Sequence, residues 1–248
     1  MMFLLAQGLV AAPLPGAFPL DDQPIARPIL MLFILVILAL APFLVMMMTS
    51  FVKIAVVFSL LRNAMGTQQI PPNQIVNGLA IILTIYIMVP VGTDVYNSIK
   101  ETIHDPQVQS QPVLSQTSFN VVKKAVSAGK EPIRQFLLKQ SSAKDRNVFY
   151  TLAKKLRGPE GDDSIKDDDF LILVPSFMIT ELTEAFQIGF ILFLPFLVID
   201  MVVSNILLAM GMFMVSPVTV SFPFKLLLFV LVDGWALITK GLILGYMK

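Results

Sequence analysis

The sequence holds no cysteine, one histidine and one tryptophan among 248 residues. Without cysteine there is no disulfide, no thiolate-bound zinc, no iron–sulfur cluster and no thiol nucleophile, and the redox compartment is left open. The lone histidine, His104, lies in a polar stretch beside Asp105, a pair better placed for solvation than for catalysis. Charge is scarce as well: 14% of residues are Asp, Glu, Lys or Arg, against about 25% in an average soluble domain. The formal net charge is +1, and no basic stripe with interleaved aromatics appears, so nucleic acid is not an expected partner. No P-loop and no dinucleotide fingerprint is present, which removes nucleotide-driven chemistry. Ser50-Phe51-Val52-Lys53 matches Ser-x-x-Lys, but the motifs that accompany that pair in serine acyl-enzymes are missing. The acidic run Glu160–Asp169 lacks the ligand spacing of an EF-hand loop. Neither an enzyme nor a cofactor or metal site is expected.

What the chain has in abundance is apolar surface: 56% of residues are hydrophobic and the mean hydropathy is +0.77. The charges are unevenly spread, with 21 of the 35 (11 basic, 10 acidic) in residues 101–170. This divides the chain into an N-terminal segment (1–28), an apolar block (29–100), a soluble insert (101–169) and a second apolar block (170–248). Ile29–Val52 carries no charge and, as one helix, is long enough to cross a hydrocarbon core of about 30 Å. Asn63–Thr93 and Met201–Phe224 are also uncharged, and Phe170–Ile199 holds only Glu181 and Glu184. Leu226–Leu244 is interrupted by Asp233 and Lys240. A window count gives four spans, or five. The expected fold is all-α: kinked hydrophobic helical hairpins, membrane-associated, with a small helical insert.

Two features set these runs apart from plain spans. Pro42, Pro90, Pro175, Pro195, Pro217 and Pro223 lie inside or at the edge of them, and each removes a backbone donor and bends or breaks a helix. Lys53, Arg62, Glu181, Glu184, Asp200, Lys225, Asp233 and Lys240 are embedded in or beside them, four basic and four acidic. Charges at such depth face a partner or an aqueous path. Glu181 and Glu184 share one helix face, whereas Lys225 and Asp233 are two turns apart, so each needs a partner from another element.

In the insert, 101–116 reads as a loop, Ser118–Ser127 as a short helix, and Glu131–Lys139 as a helix with Pro132 at its first position. Asp145 is placed to cap a further helix that Gly158-Pro159 stops. The turn from Lys53 to Pro72 carries Lys53 and Arg62 without an acid, so the positive-inside rule puts it in the cytoplasm and the insert outside, in the periplasm of a Gram-negative cell. Phe3–Ala12 resembles the apolar stretch of a signal peptide, but no basic residue precedes it.

Met47-Met48-Thr49-Ser50-Phe51 and the stretch from Phe58-Ser59-Leu60-Leu61-Arg62 through Gly66-Thr67-Gln68-Gln69-Ile70-Pro71-Pro72-Asn73 resemble the first signature of the FliP/SctR family. The second is carried by Ala185-Phe186-Gln187-Ile188-Gly189-Phe190, by Pro195-Phe196-Leu197-Val198-Ile199-Asp200, and by Phe222-Pro223-Phe224-Lys225 through Val232-Asp233-Gly234-Trp235. The resemblance covers residues 29–100 and 170–246. It implies a subunit of the inner-membrane export gate of bacterial type III secretion, flagellar or injectisome. About five copies of such a subunit assemble with two further gate subunits, in four copies and one, around a closed conduit for unfolded cargo. Much of such a complex stands above the bilayer plane, with membrane lipid beside the remainder. Val202-Val203-Ser204-Asn205 through Met210 and Val215-Ser216-Pro217 favour the virulence branch, while Gly66-Thr67-Gln68-Gln69 has a flagellar character.

Met210-Gly211-Met212-Phe213-Met214 is the candidate gate. Alternate methionines cannot share a helix face but share one side of an extended loop, and flexible thioethers can seal a pore and deform around a passing chain. The resemblance implies a methionine gasket here, with Phe213 where flagellar members tend to carry another Met. Lys53, Arg62, Glu181, Glu184, Asp200, Lys225 and Asp233 are the candidate intersubunit charges. The rival readings are a secondary transporter, which also uses broken helices and buried charge, and a non-conducting membrane scaffold or assembly factor. No internal repeat between the two halves supports the transporter.

Overall fold

The computed structural model describes residues 26–66, 71–103, 116–157 and 166–247. The N-terminal stretch with signal-peptide features, the His104–Asp105 pair and most of the acidic run lie outside them. Among the described residues all regular structure is α-helical: α1 (Ala26–Met47), α2 (Phe51–Ala64), α3 (Asn73–Ile103), α4 (Gln116–Gln140), α5 (Ala143–Arg157), α6 (Phe170–Ala209), α7 (Pro217–Leu231) and α8 (Gly234–Gly245). The chain divides after Pro42 into two compact units. The first contributes the opening turns of α1, whose Met31, Leu32, Leu35 and Leu38 are exposed. The second holds the end of α1 and all the helices after it.

α2 is shaped by its buried face. Ile54, Val57, Phe58, Leu61 and Ala64 recur at helical spacing and are all buried, largely against α6. The two helices approach closely because position 189 is glycine: a Cβ there would overlap the Leu60 side chain. Small residues at such crossings let backbones gain dispersion contacts where lipid leaves little dewatering to gain. α2 ends where Gly66 takes a φ of +80°, its N–H reaching Asn63 O at 3.1 Å, a conformation that glycine adopts without a Cβ clash. α3 starts after Pro71-Pro72 and buries Val76, Ala80 and Leu83 on one stripe.

The insert differs in detail from the sequence expectation. α4 is one helix that absorbs the segments expected at 118–127 and 131–139, and Pro132 lies inside it. A proline costs a buried helix its ladder bond, but the amphipathic face on either side stays in phase and packs on α3, with Ile99 3.3 Å from where a Gly129 Cβ would lie. Arg146 of α5 closes the end of α4, donating to Leu138 O and Ser141 O at 2.8 Å each; a cation there answers both the free carbonyls and the helix dipole. Asp145 sits in the first turn of α5 and does not cap it. Its Oδ2 accepts from the Thr180 hydroxyl at 2.7 Å, while the Ser142 N–H donates to Thr180 Oγ1 at 3.0 Å, fastening the insert to α6. α5 ends at Arg157, just ahead of Gly158-Pro159.

The prolines interrupt less than expected. Pro42, Pro90, Pro175, Pro195 and Pro223 lie within continuous helices, and Pro217 is the first residue of α7. The actual breaks fall elsewhere. The run Ile29–Val52 is not a single helix, because Met48–Ser50 separates α1 from α2. α6 continues past Asp200 to Ala209, and α7 and α8 meet at a bend of 60° across Val232-Asp233. Asn73–Lys100 and Phe170–Ala209 are each long and apolar enough to cross a membrane. Counting Leu38–Met47 with Phe51–Ala64, and α7 with α8, as broken spans gives four. Most of the apolar surface of these two helices is left uncovered by the chain, so it requires lipid or other polypeptide.

Candidate functional site

Two clusters of buried charge hang on α6, and the candidate gate loop follows its end. α6 terminates in a Schellman motif: Gly211 N–H reaches Leu208 O at 3.0 Å and Met212 N–H reaches Leu207 O at 2.9 Å, with Gly211 at φ +76°. A second turn follows, from Val215 N–H to Met212 O at 3.4 Å. The segment is therefore turned, not extended as the alternation of methionines suggested, because the Gly211 cap curls the backbone onto the last helical carbonyls. The side chains nevertheless all point outward: Met210 is 66% exposed, Met212 41%, Phe213 75% and Met214 99%. The surroundings of the loop are equally open at its glycine, where nothing lies within 4 Å of a Gly211 Cβ.

The first charge cluster joins α2, α6 and the residue after α8. Lys53 is buried, pairs with Glu184, and lies 3.8 Å from Glu181. Its ammonium also sits 4.6 Å from the centre of the Tyr246 ring, a cation–π contact strengthened by burial. The Tyr246 hydroxyl donates to Glu181, and the Tyr246 carbonyl accepts from Gln140 at 3.2 Å. Burial first, and then the negative charge of Glu181, push this hydroxyl well above its ordinary pKa, so it remains a donor. Ser50 of the Ser-x-x-Lys match is fully buried, and its Oγ has no hydrogen-bond partner, while Lys53 is committed to carboxylates.

The second cluster joins α6, α7 and the end of α2. Lys225 pairs with Asp200 Oδ2 at 2.6 Å and donates to Ala64 O at 3.3 Å; Ser221 donates to Asp200 Oδ1 at 2.5 Å. Lys225 thus finds its partner on another element, as its distance from Asp233 along the helix requires. Arg62, in the last turn of α2, donates to Asn73 at the start of α3. Asp233 lies apart, exposed at the α7–α8 bend with φ 51° and ψ 51°, and Lys240 is exposed on α8.

Lys53, Glu181, Glu184, Asp200 and Lys225 are therefore already paired within one chain, Lys53 with two carboxylates and Lys225 with one. Sequence reasoning missed Tyr246, Ser221 and the Ala64 carbonyl, which complete the two clusters. The readable signal for Tyr246 was an aromatic with a polar tip just past a glycine-ended apolar run. Ser221 and Ala64 gave none, since only the fold brings them to Asp200 and Lys225.

The FliP family model matches residues 34–242, which include both charge clusters apart from Tyr246, and the gate loop. Yop proteins translocation protein R of Yersinia pestis is 49% identical over 218 residues, covering 87% of this chain and 95% of that protein. Virulence protein YscR of Salmonella typhimurium is 45% identical, covering 88% and 97%. Flagellar biosynthetic protein FliP of Bacillus subtilis is 38% identical, covering 91% and 95%. Similarity is thus lower to the flagellar protein than to the two virulence-associated ones, the direction suggested by residues 202–217. Matched over most of its length by the family model and by relatives of almost equal extent, this chain belongs to the FliP family.

Proposed function

We propose that the chain is a subunit of the inner-membrane export gate of a bacterial type III secretion system of the virulence type. About five copies assemble with two further gate subunits into a closed conduit for unfolded protein. The observation that carries this reading is near-complete alignment at 49% identity with a Yop translocation protein. The fold supplies what such a role needs: long apolar helices whose surfaces are largely uncovered in one chain, and an exposed loop of flexible thioethers. In this reading Met210, Met212 and Met214, with Gly211 and Phe213, close the conduit, and the insert faces the periplasm.

The embedded charges then divide by task. Lys53, Glu181, Glu184, Asp200 and Lys225 hold each copy together, with Glu184 and Asp200 only partly covered and open to a neighbouring copy, as Arg62 is. Asp233, exposed at a bend, serves the contact between subunits. Replacing Met210, Met212 and Met214 together by Ala should leave assembly intact and make the closed complex leak ions, as measured by membrane conductance. An unchanged conductance in an assembled triple variant would contradict the gasket. Asp233→Ala should reduce recovery of the multi-subunit particle, weighed by native mass spectrometry of co-expressed subunits, more than it reduces expression.

A further inference from the structure

We propose that the loop between α6 and α7 is a modification site. A small two-electron oxidant of the hydrogen peroxide kind converts Met210, Met212 and Met214 to sulfoxides, and the sulfoxides unseal the conduit. The chain has 14 methionines and no cysteine, so thioethers are its only sulfur and no thiol of its own intercepts the oxidant. Three of these methionines fall within Met210–Val215, a stretch without a charged, hydroxyl or amide side chain. All three are exposed, Met214 almost wholly. Exposed thioethers on the helices stand in different surroundings. Met31 has the exposed Leu35 one turn away, and Met201 has the exposed Val198; both belong to apolar helix faces that require lipid or polypeptide cover. Met65 is buried in the core. The loop, by contrast, is a turn beyond the end of α6, and as the seal of the conduit it meets water on both sides of the constriction.

The step balances with the oxidant alone. The sulfur lone pair attacks one peroxide oxygen and the O–O bond breaks. That oxygen stays on sulfur, and the other leaves as water with both peroxide protons. Sulfur is oxidised by two electrons and the peroxide is reduced by two. The product is a different side chain: a flexible apolar thioether becomes a polar group with a strong acceptor oxygen. A constriction lined by apolar groups stays closed to ions because it stays dry. Sulfoxide oxygens hold water there, and the barrier falls. Oxidation gives either configuration at sulfur, so resetting the loop takes reductases of both epimer specificities.

The unsealing rests on the gate reading of this loop, whereas the oxidation does not, and the test separates the two. The assembled complex in lipid vesicles is treated with hydrogen peroxide, its added oxygens are mapped by peptide mass spectrometry, and its conductance is recorded. Met214 should be oxidised about tenfold faster than the buried Met65, with Met210 and Met212 following. Conductance should rise to the level of the Met210→Ala/Met212→Ala/Met214→Ala variant and fall back after treatment with both reductases. Met210→Leu/Met212→Leu/Met214→Leu nearly conserves volume and leaves no sulfur in the loop, so it should stay closed in peroxide. Met247→Leu removes an exposed thioether outside the loop and should leave the native response in place. Loop methionines that oxidise no faster than Met65 in the assembled complex would overturn the proposal. So would a Leu variant that leaks in peroxide as the native complex does. A fully oxidised loop that stays closed overturns it too: if the Ala variant leaks, the gate reading stands without this one, and if it does not, both fall.

Discussion

The Lys225–Asp200 pair makes an asymmetric prediction. Lys225 is 2% exposed and Asp200 29%, so the two ends of one ion pair stand in different surroundings. Asp200→Asn removes the carboxylate and leaves a buried ammonium facing an amide, the Ser221 hydroxyl and the Ala64 carbonyl. Stranding a buried charge costs about 3–5 kcal/mol. Lys225→Met removes the buried charge itself, and the partly exposed Asp200 keeps Ser221 and gains water. The loss should be about 1–2 kcal/mol, the size of the hydrogen bonds given up. The double variant replaces a buried pair by an amide and an apolar chain of similar volume, an exchange that is often close to neutral. It should therefore be more stable than Asp200→Asn alone. The assay is unfolding in a fixed mild detergent, followed by far-ultraviolet circular dichroism against denaturant for the four proteins of the cycle. The reasoning fails if Lys225→Met costs as much as Asp200→Asn, or if the two losses simply add.

Gly189→Val should destabilise the chain by about 1–3 kcal/mol, since the new methyls enter space held by Leu60. Adding Leu60→Ala should restore part of that loss, and an unfolding midpoint that stays down would argue against the close α2–α6 crossing. Asp233→Gly should raise stability by about 1 kcal/mol because a left-handed backbone is costly for a residue with a Cβ. The same substitution should lower subunit assembly, and a parallel rise in both would deny the carboxylate an intersubunit role.

Much of the architecture was readable because helical propensity and apolar length are local properties. The helix that follows Asp145 and the long apolar runs that hold α3 and α6 show directly in the sequence. The breaks were misread for a physical reason. Proline forbids one hydrogen bond but leaves the flanking turns free to continue, as at Pro175 and Pro195 inside α6. Met48–Ser50 and Val232-Asp233 carry no proline and still turn the chain. Phe229 shows why at the second: its ring occupies the place of a Gly234 Cβ and stacks edge-on to Trp235 at 5.4 Å, contacts that exist only when the helix is bent. The segment Met210–Met214 was singled out by its composition, but its curl depends on which carbonyls Gly211 and Met212 reach, a matter of three dimensions.

The spacing of the two charge clusters gives them a further physical role. Glu184 and Asp200 are sixteen residues apart on α6, about 24 Å along the helix. Lys53 reaches one from α2 and Lys225 the other from α7. Apart from its few polar positions α6 is apolar around its circumference, so a neighbouring helix that slides by one turn exchanges one set of dispersion contacts for another of similar worth. A buried cation does not slide so cheaply, because every wrong register strands it. The pairs therefore select one arrangement of α2, α6 and α7 more than they deepen its stability. The Asp200→Asn/Lys225→Met variant separates the two effects. Its unfolding midpoint should stay near that of the native chain, while cysteine pairs engineered across α6 and α7 at native and at one-turn-shifted positions should both cross-link. Cross-linking in the native register alone would show that packing suffices to set the register.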